Sequence, residues 1–196
     1  RGTPEDLVLQ TLRKNGVCDV KNLLAQSGVS SEEGLTALWE LLQRQQVVAL
    51  QAVGDKEALL QTNPALMDIG SWHMTRDAVV RSLQEFEQRS PLALGMPREE
   101  LKNRLRLAPA FANQVLEYAI RTEVAAQENG LVHRPEWKPV LTNTQQQTVR
   151  RVRDAFEQAG YNPPPTNEVE TALGAELLTY LVQTGELLRA GDNVLF

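Results

Sequence analysis

Three turns, at Gly54-Asp55, Asn129-Gly130 and Gly191-Asp192, place their glycines 76 and 61 residues apart, and each follows three short helical patterns. In the first copy, Thr3-Pro4-Glu5-Asp6 supplies a cap, a proline at the first helical position and acids in the first turn. Leu7, Val8 and Leu12 then recur at helical spacing. A second helix is expected from Asp19 to Gln26, ended by Gly28. Ser30 with Glu33 forms a capping box ahead of a third helix carrying Leu35, Leu38, Trp39 and Leu42. The run VVALQAVGDKEALLQT then reads as two strands about Gly54-Asp55.

The second copy repeats this order. A helix is expected over Thr75–Gln88, two more start at Pro97 and Pro109, and VAAQENGLVHRP is a hairpin about Asn129-Gly130. In the third, Thr142 and Gln145 form a capping box, Asn162-Pro163-Pro164-Pro165 is a stiff spacer, and a short helix ends at Gly174. Leu177, Leu178, Leu181 and Val182 mark the third helix, and ELLRAGDNVLF closes as a hairpin. Three helices, the last two a helix-turn-helix, followed by a β-hairpin describe a winged helix. The expected fold is mainly α with small β wings: three tandem winged-helix units over 1–63, 64–140 and 141–196. Joins near Asn63-Pro64 and Lys138-Pro139 are short and proline-stiffened, which favours a semi-rigid rod or elbow.

The same sequence excludes much. One cysteine, Cys18, allows no internal disulfide and no cysteine-based zinc site, and His73 and His133 stand 60 positions apart. The longest apolar runs are too short for a membrane span. A net charge of −5 argues against non-specific coating of nucleic acid. Paired acids such as Glu32-Glu33 and Glu99-Glu100 belong to helix starts. Nothing assembles a nucleophile, a base and an oxyanion donor, so no catalytic, cofactor-binding or metal-binding residue is assigned and no enzyme is expected. The first residue is Arg, so a piece of a longer protein is expected.

Four stretches carry a resemblance. Ser90-Pro91-Leu92, GMPREEL (95–101) and Arg104-Leu105 resemble the second winged-helix unit of the bacterial selenocysteine-specific elongation factor family, SelB. LVHRPEWKPVLT (131–142) is similar to that family's bridge into the third unit. GYNPPPT (160–166) resembles its proline-rich turn, and GELLRAGDNVLF its third wing. The resemblance covers about 75–196; over 1–63 only architecture and position agree.

It implies a C-terminal arm of four winged-helix units behind a GTPase body that carries selenocysteinyl-tRNA, with the fourth unit gripping the selenocysteine insertion hairpin of the mRNA. This chain is expected to be the first three units, a spacer between body and tip. GTP and Mg would belong to the body, since no P-loop occurs here. The implied partners are the mRNA hairpin through the fourth unit, the ribosome, and selenocysteinyl-tRNA through the body. A cytoplasmic monomer without membrane contact is expected.

Two basic clusters are candidate RNA phosphate contacts. Arg150 and Arg153 share a helix face, with Arg151 about 100° away. Arg98, Lys102 and Arg106 repeat at four-residue spacing, with Arg104 nearby. Both compete with a solvated-face reading, because Asp154, Glu157, Glu99 and Glu100 are neighbours. Residues 64–140 hold ten positive and ten negative side chains. The third helix of the first copy has three acids and one Arg and that of the third copy has no positive residue, which argues against reading DNA with them. Trp39 is expected in the core, and Trp72 and Trp137 in inter-unit packing rather than base stacking. A protein–protein scaffold and a DNA-binding regulator remain as alternatives. A bistable joint coupling RNA binding to the body would lie at 64–72 or 134–141.

Overall fold

The computed structural model describes residues 2–190 and 193–196, with backbone alone at 190 and 193–195. The chain opens with helix α1 (Pro4–Asn15), strand β1 (Cys18–Asp19), α2 (Val20–Ser27) and α3 (Ser31–Gln43). The first helix is held by a reciprocal capping box between Thr3 and Asp6. The Asp19 carboxylate accepts from the Asn22 amide at 2.8 Å to start α2, and Gly28 ends it in the left-handed conformation. Ser30 caps α3, although the Glu33 carboxylate accepts from the Ser30 hydroxyl.

The chain then departs from the expected first wing. After β2 (Val47–Ala49) comes a helical turn, α4 (Ala58–Thr62), and only then the partner strand β3 (Ala65–Asp68). The Asp55 carboxylate accepts from the Ala58 amide at 2.8 Å, so it nucleates a helix instead of turning a hairpin. The sheet is antiparallel in the order β1-β3-β2, with Cys18 opposite Leu66 and Val48 opposite Met67. The expected boundary at 63/64 therefore cuts through this sheet. Asn63-Pro64 is an internal corner, where the Asn63 side chain accepts from the Lys21 amide at 2.9 Å.

Helix α5 (Ile69–Arg89) follows β3 without a gap. It starts six residues before the expected Thr75, because the Asp68 carboxylate accepts from the amides of Gly70 and Ser71 and from the Ser71 hydroxyl. Next come β4 (Met96–Pro97), α6 (Arg98–Leu105), α7 (Ala112–Arg121), β5 (Ala126–Glu128) and β6 (Leu131–His133), the strands in the order β4-β6-β5. Pro109 sits in the turn before α7 rather than opening it. Asn129 and Gly130 both have positive φ (51° and 77°), as a type I′ hairpin turn requires. The last set is α8 (Asn143–Ala159), α9 (Thr166–Leu173), α10 (Ala175–Gln183) and the antiparallel pair β7 (Leu188–Ala190) and β8 (Asn193–Leu195). The expected turn at Gly191-Asp192 lies outside the described residues. The fold is thus mainly α with small β wings, and the helix–helix–helix–strand order recurs along the chain.

Each set has its own apolar core: Leu12, Leu23 and Leu38 in the first, Val79, Leu83 and Leu116 in the second, Val152, Leu173 and Leu181 in the third. A fourth cluster lies between the first two sets and joins Leu50, Ala65 and Met67 to Trp72, Val115 and Ala119. Residues 64–72, expected as a candidate joint, are instead strand β3 and the start of α5, packed on both sides. The junction to the third set is thinner. Leu92 inserts into the third core, Trp137 donates from Nε1 to the Ala93 carbonyl at 2.9 Å, and Arg134 reaches back to α5.

Candidate nucleic-acid interface

A winged helix ordinarily offers its third helix to a nucleic-acid groove. Here α7 is used otherwise. The Gln114 side chain accepts from the Ala65 amide at 3.3 Å, and Arg121 donates to the Leu50 carbonyl at 2.8 Å. Tyr118 meets Trp72 edge-on at 4.6 Å between ring centroids, and the Arg121 guanidinium lies 5.3 Å from the Tyr118 ring. This helix face is therefore spent on the preceding set. Glu176, Thr179, Tyr180 and Gln183 of α10 look across a groove of about 360 Å³ at Phe86, Leu92 and Gly95 of the second set. The outer face of α3 carries the exposed Glu32, Glu33 and Thr36, which make no hydrogen bond or ion pair to another set among the described residues. Trp39 and Trp72 pack in apolar clusters, in keeping with the packing reading.

The α6 stripe does not survive as a cationic surface. Arg98 pairs with Glu117 at 2.8 Å and donates to Gln127 at 2.7 Å. Lys102 pairs with Glu99 at 2.6 Å and donates to Asn113 at 3.1 Å. Their side chains are 19% and 16% exposed. These bonds tie α6 to α7 and to the edge strand β5. Arg104 pairs with Glu100 and covers the Phe86 ring. Arg106 leaves the helix, with φ of 51°, and stands exposed with no ion pair among the described residues.

On α8 the three arginines also divide. Arg153 pairs with Glu186 at 3.2 Å and lies 5.3 Å over the Phe196 ring. Arg150 and Arg151 are exposed and make no hydrogen bond or ion pair among the described residues. Of the six candidate cations, Arg106, Arg150 and Arg151 are thus the ones without a partner among the described residues.

The buried pair Glu87–Arg134 escaped sequence reasoning. Glu87 is 3% exposed, and accepts from the Arg134 amide at 3.2 Å and from its Nε at 2.6 Å. The signal was present: Glu87 continues the Val79, Leu83 core stripe at i+4, where a carboxylate demands a partner. Cys18 is buried, and that burial pushes its thiol pKa up, which suits an inert packing role. No group of three or more His, Cys, Asp or Glu among the described residues is placed to hold a metal, and no helix among them is long and apolar enough to cross a membrane.

Comparison with known proteins adds the following. Residues 80–133 match the family described as elongation factor SelB, winged helix. No curated protein sequence matches the chain. A solved structure, the mRNA-binding domain of elongation factor SelB from E. coli in complex with SECIS RNA, is similar at a TM-score of 0.48 and 12% identity over 68% of this chain and 98% of that one. The matched segment runs from the middle of α5 through the hairpin to His133, and includes GMPREEL and the α7 that docks on the first sheet. Over residues 80–133 the chain is thus similar to a winged helix of the SelB elongation-factor family.

Proposed function

We propose that this chain is the spacer part of the C-terminal arm of a selenocysteine-specific elongation factor. It joins a GTPase body carrying selenocysteinyl-tRNA to a tip that grips the insertion hairpin of the mRNA at recoded stop codons on the ribosome, in the cytoplasm and as a monomer. The observation that supports this reading is the docking of α7 on the first sheet. A helix committed to its neighbour fixes distance and angle and reads no groove, which is what a spacer needs. GTP and Mg chemistry belongs to the body in this reading. Arg150, Arg151 and Arg106 are its candidate phosphate contacts, and 134–141 the candidate joint for coupling the tip to the body.

The test is an anisotropy titration with a bacterial selenocysteine insertion hairpin, at low and moderate salt, of this chain beside a form extended through the next ~70 residues of its gene. Tight binding by the extended form alone is expected. Equal binding by both removes the spacer role, and binding by neither removes the family role. Fluorescence distances across 134–141 in the full-length factor, with and without RNA, test the coupling; unchanged distances end it. The acidic outer face of α3 favours a second reading, a protein–protein scaffold, which a tight protein partner found without any RNA link would support.

A further inference from the structure

Past the end of α8 the structure holds an aromatic feature that the spacer role leaves unused. Tyr161 is fully exposed, between Gly160 and the stiff Pro163-Pro164-Pro165 run. It borders a cleft of about 670 Å³ lined also by Arg153, Phe156, Glu157 and Phe196. Phe156 and Phe196 meet edge-on at 5.3 Å, and Arg153 is clamped over Phe196 by Glu186. The floor is thus a preformed π-surface, and Tyr161 is a free ring on a turn that loses little freedom on binding.

The charges sort a nucleotide by its parts. Glu157 and Glu186 disfavour phosphate inside the cleft, while Arg150 and Arg151, exposed and unpaired among the described residues, lie further back along α8. At 1.5 Å rise per residue, Arg150 stands roughly 13 Å along the helix from its end at Ala159, a span of a few nucleotides. Glu186 is engaged by Arg153, whereas Glu157 makes no bond among the described residues and is an acceptor for a base amino group.

We propose that this cleft takes an unpaired nucleobase bearing an exocyclic amino group, from a single-stranded RNA whose phosphates rest on Arg150 and Arg151. The proposal rests on the reading of this chain as an element that works beside mRNA, and adds to it a direct contact.

The test uses the full 196-residue chain and labelled hexaadenylate, hexacytidylate and hexauridylate, titrated by anisotropy at several salt concentrations. The adenine and cytosine oligomers are expected to bind more tightly than the uracil one. Tyr161→Ala should weaken hexaadenylate by about tenfold, and Tyr161→Phe should leave it near wild type, since stacking needs the ring alone. Arg150→Gln with Arg151→Gln should weaken all three alike and reduce the salt slope by roughly 1.4, the value for two single-strand phosphates. Glu157→Gln should erase the preference over uracil. No binding by any oligomer overturns the proposal, as does wild-type binding by Tyr161→Ala or an absence of base preference. Those failures leave the spacer reading standing if the extended form still binds the insertion hairpin. Tyr161 is fully solvated, so its replacement does not endanger folding; an unchanged circular-dichroism melt checks this.

Discussion

Replacing Trp72 by alanine should loosen the first two sets together. Trp72 is 6% exposed and belongs to α5, yet its cluster draws Leu50, Ala65 and Met67 from the first set and Val115 and Ala119 from the second. An indole of this burial removes about 150–250 Å² from water, which at ~25 cal/mol/Å² is about 4–6 kcal/mol. The edge contact with Tyr118 adds about 1 kcal/mol. Measured tryptophan truncations cost about 3–5 kcal/mol, so the expected loss is about 4 kcal/mol. That is a large share of the ~5–15 kcal/mol that holds a domain together. Native-state amide exchange reports it residue by residue. In wild type, the amides of Leu23 (first core) and Leu83 (second core) should open with the same free energy. In Trp72→Ala both should exchange about a thousandfold faster. A variant in which Leu83 loses protection while Leu23 keeps it would show that the two cores open independently, and would refute the argument that α7 welds them.

Further outcomes follow from other contacts. Arg134→Ala strands a carboxylate that is almost wholly buried and should cost about 3 kcal/mol in urea unfolding, clearly more than Glu87→Gln, which leaves behind an arginine with 24% of its side chain exposed; equal losses would contradict this. Gly95→Ala would put its Cβ 2.8 Å from the Val132 carbonyl oxygen and should cost about 1–3 kcal/mol, because backbone cannot step aside; a neutral result would mean the strand β6 yields. The Thr3 backbone amide, then its hydroxyl, hold the Asp6 carboxyl below its ordinary value of 3.8. A depressed folded value means that the capping contribution is present above the ordinary value and lost as pH falls through the folded one. Carboxyl NMR should show Asp6 titrating below 3.8, with α1 fraying in step; titration at or above 3.8 would refute the cap.

What could be read directly was what is decided within a few residues. The caps at Thr3, Ser30 and Thr142 and the Asn129-Gly130 turn need only neighbouring groups, and each stands where the pattern put it. The first wing failed because its local signals are ambiguous. All four residues of β3 are buried, so no alternation marks it as a strand, while Asp55 reads equally as a turn residue and as a helix cap. The α6 stripe failed in another way. Its spacing was right, but Glu117 and Gln127, which neutralise or occupy Arg98, lie on α7 and β5, and nothing local says that these will face it. The freedom of Arg150 and Arg151 was equally invisible, since it rests on which acids do not arrive.

The junction at Asp68 has a mechanical consequence. One residue ends the central strand of the first sheet and caps α5, so the covalent path between the first two sets contains no slack. Tension drawn along the backbone there loads a strand that is hydrogen-bonded on both flanks. Between His133 and Asn143 the same tension crosses an irregular segment tied back by the Arg134–Glu87 pair and the Trp137 indole bond. Such a chain behaves as a long stiff lever followed by a softer coupling. Its compliance is concentrated at the second junction, so a displacement applied beyond Asn143 is taken up there before it reaches the first sheet.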